Sequence, residues 1–325
     1  MKKIITFALM FLMLFTVVGC KKDEPQPEPK PEVQRTYVAD GEYTAYTLAE
    51  GKCELTTATV TIKDDKISKV YINVVQSTAK KNEAGETTGY AFNAQSKKEL
   101  GYAYHMHYRS YTASLEDAST ATDEGYAAWL EANGKLEWFQ QAELIEAYIV
   151  ANGVDAVQVA EGKFANIAGV TIKDAYLATV KAAIANAKAG IKTAVTTAED
   201  DVTVATAKVA KDGSLSEVKL DVFQGSFKEG AFSWQAGKQE KGYGYHMHYR
   251  SYTGSLEDAS TATEEGYKAW LKANNKLEWF EQAELIVAAW VANHSVNQNE
   301  AGKFDIAGVT IKNGGYITVL NGLLK

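Results

Sequence analysis

Residues 57–75 read TATVTIKDDKISKVYINVV. Positions 57–62 alternate small polar and apolar residues, Asp64-Asp65 marks a tight turn, and 67–75 resumes the apolar pattern. That pattern predicts a β-hairpin with one face buried. A second run, VTVATAKVAKDGSLSEVKLDVF (202–223), has the same form, with its turn at Asp212-Gly213. A further strand is predicted over 102–108. Helical patterns follow the hairpins. Leu136, Phe139, Ala142 or Glu143, Ile145 and Tyr148 recur at near-helical spacing within 136–150. Residues 174–188 are Ala-rich, open on Asp174 in a capping position and are followed by Ala189-Gly190. Residues 313–324 offer a counterpart. Strands and helices segregate rather than alternate, so the predicted class is α+β.

The chain repeats itself. YHMHYRSYT (104–112) recurs unchanged at 245–253, SLEDASTAT (114–122) at 255–263 and KLEWF (135–139) at 276–280, all at an offset of 141 residues. IAGVTIK (167–173) recurs at 306–312, after a shortening of two residues. A period near 140 is a whole domain, too long for a solenoid unit. The expectation is two tandem homologous domains, 36–190 and 191–325, each a small antiparallel-rich sheet packed with helices. The 325-residue length agrees with two domains.

The first residues read as an address. Lys2 and Lys3 precede an apolar stretch, 4–18, that is short for a membrane span. It ends Val17-Val18-Gly19-Cys20, which resembles a bacterial lipobox. Cleavage before Cys20 makes 1–19 a signal peptide and Cys20 the lipidated first residue, placing the protein outside the cytoplasm, lipid-anchored to the cell membrane. Residues 20–35 then form a tether. All four prolines of the chain lie there, at Pro25, Pro27, Pro29 and Pro31, which favours an extended, solvated spacer. The formal charge is −7, and loss of Lys2 and Lys3 with the leader lowers it by two. No cationic excess exists to neutralise phosphates, so nucleic acid is not an expected partner. Two cysteines make neither a disulfide framework nor a thiolate metal site.

Two AGVT segments carry candidate chemistry. Ala168, Gly169, Val170 and Thr171, and again Ala307, Gly308, Val309 and Thr310, each precede a predicted helix. Glycine permits a tight turn and close backbone approach. A Thr hydroxyl near a helix N-terminus would meet free N–H groups and a favourable dipole, and Lys173 and Lys312 add positive charge. Each turn reads either as a helix cap or as a place for a phosphate, held or covalently attached.

The start DGEYT (40–44), the hairpin segment KDDKISKV (63–70), the run KLEWFQQAELIEAYIVANG (135–153) and the end IAGVTIKDAYLATVKAAIANAK (167–188) together resemble the FMN-binding domain family. They are most similar to its duplicated flavin-bearing lipoproteins of the pheromone-lipoprotein type, associated with extracellular electron transfer. The resemblance covers most of 36–325. It implies covalent FMN, two per chain, joined by a phosphoester to Thr171 and Thr310 and installed by a flavin transferase that consumes FAD. The family's acceptor pattern is Asp-x-x-Ser/Thr-Gly-Ala-Thr/Ser. Here Gly169 and Gly308 match the glycine; Ala168 and Ala307 stand where Ser or Thr is commoner, Val170 and Val309 replace Ala, and Ala165 and Phe304 fill the leading Asp position. EDASTAT, at 116–122 and 257–263, has rival spacing ending on Thr122 and Thr263, but lacks the glycine and shows no clear helix start after it.

On a strand, His105, His107 and Arg109 would share one face, as would His246 and His248 in the second copy. Such a face can line the flavin or an interface between domains, serve as plain sheet surface, or ligate a metal, although no third ligand is legible. Trp138 and Trp279 read as core residues or as contacts at the flavin edge, and Cys53, without a counterpart, as a structural thiol. The expected function is a surface-anchored electron carrier rather than a turnover enzyme. It would take electrons from a quinone-linked or flavin donor at the membrane and deliver them to an extracellular acceptor. The alternative is a lipoprotein that binds a ligand or metal without redox work.

Overall fold

The hairpin of 57–75 exists, and its turn shows why. Asp64 and Asp65 have φ of 53° and 58°, the left-handed pair that a two-residue hairpin turn requires and that Asp tolerates. The computed structural model describes residues 35–325, which cluster as one compact unit. The leader, Cys20 and most of the tether lie outside the described residues.

Strands β1 (Gly41–Leu48), β2 (Leu55–Lys63) and β3 (Lys66–Val75) form an antiparallel sheet in that order. Strands β4 (Ser77–Lys81) and β5 (Thr87–Phe92) make a separate hairpin. Short helices α1 (Lys97–Leu100) and α2 (Tyr108–Thr112) lead to α3 (Asp123–Ala132) and α4 (Trp138–Asn152). A two-residue hairpin, β6 (Val159–Ala160) with β7 (Lys163–Phe164), precedes α5 (Tyr176–Ala189). Ala58, Val60, Ile62, Val70, Ile72 and Val74 point to one buried face. Helices α4 and α5 cover it, the first over β3 and the second over β1 and β2. Trp138, Ile145, Ile149, Val180 and Ala183 complete that core.

The element order then repeats. Strands β8 (Ile191–Ala198), β9 (Asp201–Val209), β10 (Leu215–Lys228) and β11 (Ala231–Trp234) form one antiparallel sheet. The long β10 does the work of β3 and β4 together. Helices α6 (Lys238–Lys241), α7 (Tyr249–Thr253), α8 (Glu264–Ala273), α9 (Trp279–Asn293) and α10 (Tyr316–Gly322) follow. The mixed composition and the antiparallel sheets make the fold α+β. The halves share an apolar cluster in which Leu55 packs with Val202 and Val204. Trp234 Nε1–H also donates to the Ala49 carbonyl at 3.1 Å.

Two expectations about local structure fail. Residues 102–108 are not a strand. Gly101–Tyr104 is a 3₁₀ turn, His105 takes a left-handed φ of 61°, and α2 begins at Tyr108. The donors that a strand would give to a ladder go to side chains instead. Met106 N–H donates to the Glu137 carboxylate at 3.0 Å, and His107 N–H to the Tyr126 hydroxyl at 2.8 Å. The second copy repeats this with Glu278 and Tyr267. Nor does EDASTAT lack a helix start after it. Thr122 is the N-cap of α3, its Oγ1 accepting from Gly125 N–H at 3.0 Å. Thr263 caps α8 in the same way.

Candidate functional site

The AGVT turn is shaped by burial on alternate sides. Ile167, Val170 and Ile172 are buried, while Ala168, Gly169 and Thr171 are exposed. Gly169 has φ of 81°, and a Cβ there would lie 3.1 Å from Leu136 Cδ1 and 3.3 Å from Leu144 Cδ1. Backbone conformation and the proximity of α4 both demand glycine. Gly308, with φ of 83° and Leu277 Cδ1 at 3.0 Å, repeats the arrangement.

The turn does not cap the helix that follows it. Helix α5 begins at Tyr176 with Ala175 as N-cap and no capping side chain, so Thr171 stands several residues upstream of it. The turn is held by α4 instead. Gln141, 1% exposed, aims its Oε1 at three donors. Thr171 N–H donates at 2.7 Å, Ile172 N–H at 3.1 Å and the Thr171 hydroxyl at 3.1 Å. Gln141 Nε2–H in turn donates to the Leu136 carbonyl at 2.9 Å and approaches Met106 Sδ at 3.6 Å. Gln282 holds Thr310 and Ile311 in the same way, at 2.7 Å and 3.1 Å from their N–H groups. The threonine hydroxyl is thus oriented as a donor, while its residue stays exposed.

Thr171 opens onto a pocket of about 550 Å³, a size usual for cofactor sites. Lys52, Lys97, Lys163 and Lys173 line it, against one carboxylate, Glu54. The β-bridge between Lys163 and Lys173 brings two of these lysines together beside the turn. Tyr104, Trp138 and Tyr176 form an aromatic wall, Thr47 and Thr56 lie on the sheet side, and Thr179 of α5 faces Thr47 at 2.8 Å. Trp138 Nε1–H donates to the Tyr176 hydroxyl at 3.1 Å. Trp138 is therefore at once core, as its 2% exposure requires, and pocket wall. Lys97 is 6% exposed. Its ammonium stands 5.1 Å from the Tyr104 ring centre, 5.4 Å from that of Trp138 and 4.0 Å from a Glu54 carboxylate oxygen. Burial pushes the Lys97 pKa down, with Glu54 acting against it. Burial likewise raises the Tyr104 phenol to about 12, so it stays protonated at neutral pH.

The histidines stand elsewhere. Tyr104 and Met106 line the pocket, but His105 and His107 do not. His105 Nε2 lies 2.7 Å from Asp123 Oδ1, and its ring packs against Tyr108 at 3.9 Å. His107 is the residue before α2, and its N–H is bound by Tyr126. His246 and His248 occupy the same positions in the second copy, with His246 against Tyr249 at 4.1 Å. Among the described residues no three His, Cys, Asp or Glu side chains gather as a metal site. Cys53 is buried, and burial raises its thiol to about 11.

Sequence reasoning missed Gln141, Gln282, Glu137, Glu278 and Lys97. The two glutamines and two glutamates had a signal, since each recurs at the same place in both copies, the glutamates as N-caps and the glutamines in the first turn of α4 and α9. Lys97 had none, because its burial comes from long-range packing. No helix among the described residues is long and apolar enough to cross a membrane. No family model matches the chain, and no curated protein or solved structure matches it either.

Proposed function

We propose that the chain is a lipid-anchored flavin electron carrier built from two tandem units that share an interface. The observation that carries this reading is the company Thr171 keeps. An exposed hydroxyl on a glycine-dependent turn sits in one pocket with four lysines and an aromatic wall. Lysines suit a phosphate and the polar edge of a flavin, and the aromatic side chains suit its ring. In the attachment step the Thr171 Oγ attacks the FMN-side phosphorus of FAD. The pyrophosphate P–O bond breaks, AMP leaves, and the hydroxyl proton passes to the transferase or to water. FMN, once attached, supplies one- and two-electron chemistry; the protein holds it and tunes its surroundings.

A covalent bond keeps the cofactor from diffusing away outside the cell. Anchoring through Cys20 and the proline-rich tether would keep the body within reach of a membrane donor, quinone-linked or flavin-based, and of an extracellular acceptor. The test is co-expression of the full chain with an exported flavin transferase, followed by trypsin. Cleavage at Lys163 and Lys173 releases FANIAGVTIK (164–173). The expected result is that peptide carrying one FMN phosphoester, lost in Thr171→Ala. An unmodified peptide beside a control substrate that is flavinylated would refute the reading.

A further inference from the structure

The two AGVT turns are held alike, but the space before them is not the same. In both, a buried glutamine fixes the threonine, and a tryptophan Nε1–H donates to a tyrosine hydroxyl at 3.1 Å. The difference lies in the link to the following helix. Asp174-Ala175 joins Lys173 to Tyr176, whereas Asn313-Gly314-Gly315 joins Lys312 to Tyr316, one residue longer.

That extra residue lies on the floor of the site. In the first half the floor includes Thr47 and Thr56, a cross-strand pair of β1 and β2 that lines the pocket. The equivalent pair on β8 and β9 is Thr196 and Thr203. Gly315 sits so close that a Cβ on it would lie 2.5 Å from Thr196 Cγ2, and its φ of 85° admits little but glycine. Thr203 Oγ1–H donates to the Gly314 carbonyl at 2.9 Å. Backbone therefore covers in the second half what is open in the first. Tyr316 is correspondingly buried, its ring stacked on Phe304 at 6.2 Å, whereas Tyr176 is half-buried.

Charge differs in the same direction. The connection from β1 to β2 carries Lys52 into the pocket. The connection from β8 to β9 is the tight turn Glu199-Asp200, which brings no lysine, and its Glu199 pairs with Lys80 of the first half. A large anionic ligand meets an open cationic pocket at Thr171. At Thr310 it meets a covered floor, with Lys238, Lys303 and Lys312 in the places of Lys97, Lys163 and Lys173 but no counterpart of Lys52.

We infer that the two turns are not equivalent: Thr171 is the attachment site, and Thr310 sits on a closed copy that keeps the turn but does not house the flavin. The chain then carries one covalent FMN and not two. This inference rests on the flavin reading above.

The test compares peptide 164–173 with FDIAGVTIK (304–312) after co-expression of the full chain with a flavin transferase, the modified fraction of each being measured by mass spectrometry. Thr171→Ala and Thr310→Ala, both at exposed positions, are run beside the natural chain. The expected result is about tenfold or greater preference for 164–173, no label in Thr171→Ala and an unchanged label in Thr310→Ala. A third variant copies the open link onto the second half, combining Asn313→Asp and Gly314→Ala with deletion of Gly315, and should raise labelling of 304–312. Comparable labelling of both peptides, or label at Thr310 in Thr171→Ala, overturns the inequality while leaving the flavin reading intact. No label on either peptide, with a control substrate labelled, overturns that reading and the inference with it.

Discussion

Replacing Gln141 with Leu removes the group that holds the first AGVT turn while keeping the side-chain volume near its original value. The magnitude follows from the partners left behind. Oε1 serves Ile172 N–H, Thr171 N–H and the Thr171 hydroxyl, and Nε2–H serves the Leu136 carbonyl. Thr171 is exposed, so water can replace its lost contacts. Ile172 is 6% exposed, and Leu136 lies under the turn. Each stranded buried group costs about 1–3 kcal/mol, and Leu recovers part of that by burial, so the net loss should be about 2–4 kcal/mol. Against a typical domain stability of about 5–15 kcal/mol this is a large fraction. Urea unfolding of the detergent-solubilised chain measures it, and tryptic mapping under native labelling conditions measures flavin at Thr171. Both should fall in Gln141→Leu. Gln141→Glu, which retains an acceptor for the two N–H groups, should keep more label than Leu. A stability change below about 0.5 kcal/mol together with full labelling would refute the clamp.

Gly169→Ala must place a Cβ at positive φ and within 3.1 Å of Leu136, and should cost about 1–3 kcal/mol by thermal unfolding and reduce label at Thr171. Tyr126→Phe removes the hydroxyl that donates to the buried Glu137 carboxylate and accepts His107 N–H; a loss of about 1.5–3 kcal/mol is expected by urea unfolding. Lys98→Met leaves buried Glu146 with only the Ile72 N–H at 2.6 Å and should cost about 3 kcal/mol near neutral pH. Burial already raises the Glu146 pKa, so the folded state takes up that proton more readily than the unfolded chain; the penalty should therefore shrink as pH falls through the carboxylate range. Asp65 behaves oppositely. The Thr36 N–H, then that of Tyr37, lower its pKa below 3.8, so its stabilisation is present above that value and is lost as pH falls through the folded one. Asp65→Asn should flatten the acid limb of a stability–pH profile.

The regular elements were legible where one local pattern decides them. The alternation of 57–75 and its Asp-Asp turn reappear as β2 and β3, and the spacing through Phe139, Ile145 and Tyr148 as α4. The YHMHYRSYT segments were not legible as turns. Their alternation of aromatic and polar residues imitates a strand, and what prevents one is the capture of Met106 and His107 N–H by Glu137 and Tyr126, residues 31 and 19 positions away. The AGVT turns were legible as special backbone, since glycine with an adjacent hydroxyl has few local alternatives. Their support was not. The sequence read the turn as a cap for the following helix or a place for a phosphate, whereas Gln141 holds it from the preceding helix. The difference between the halves lay in one added glycine, whose consequence appears only where it meets Thr196 and Thr203.

We propose that the open cationic pocket at Thr171 houses a covalently attached flavin used for electron transfer. The most direct measurement isolates the full chain after co-expression with a flavin transferase and follows its visible absorption through stepwise reduction and reoxidation, with the Thr171→Ala variant treated identically. The expected result is a yellow protein that bleaches and recovers reversibly, its chromophore retained after denaturation and absent from Thr171→Ala. A colourless natural chain beside an active transferase, or a chromophore undiminished in Thr171→Ala, would contradict it.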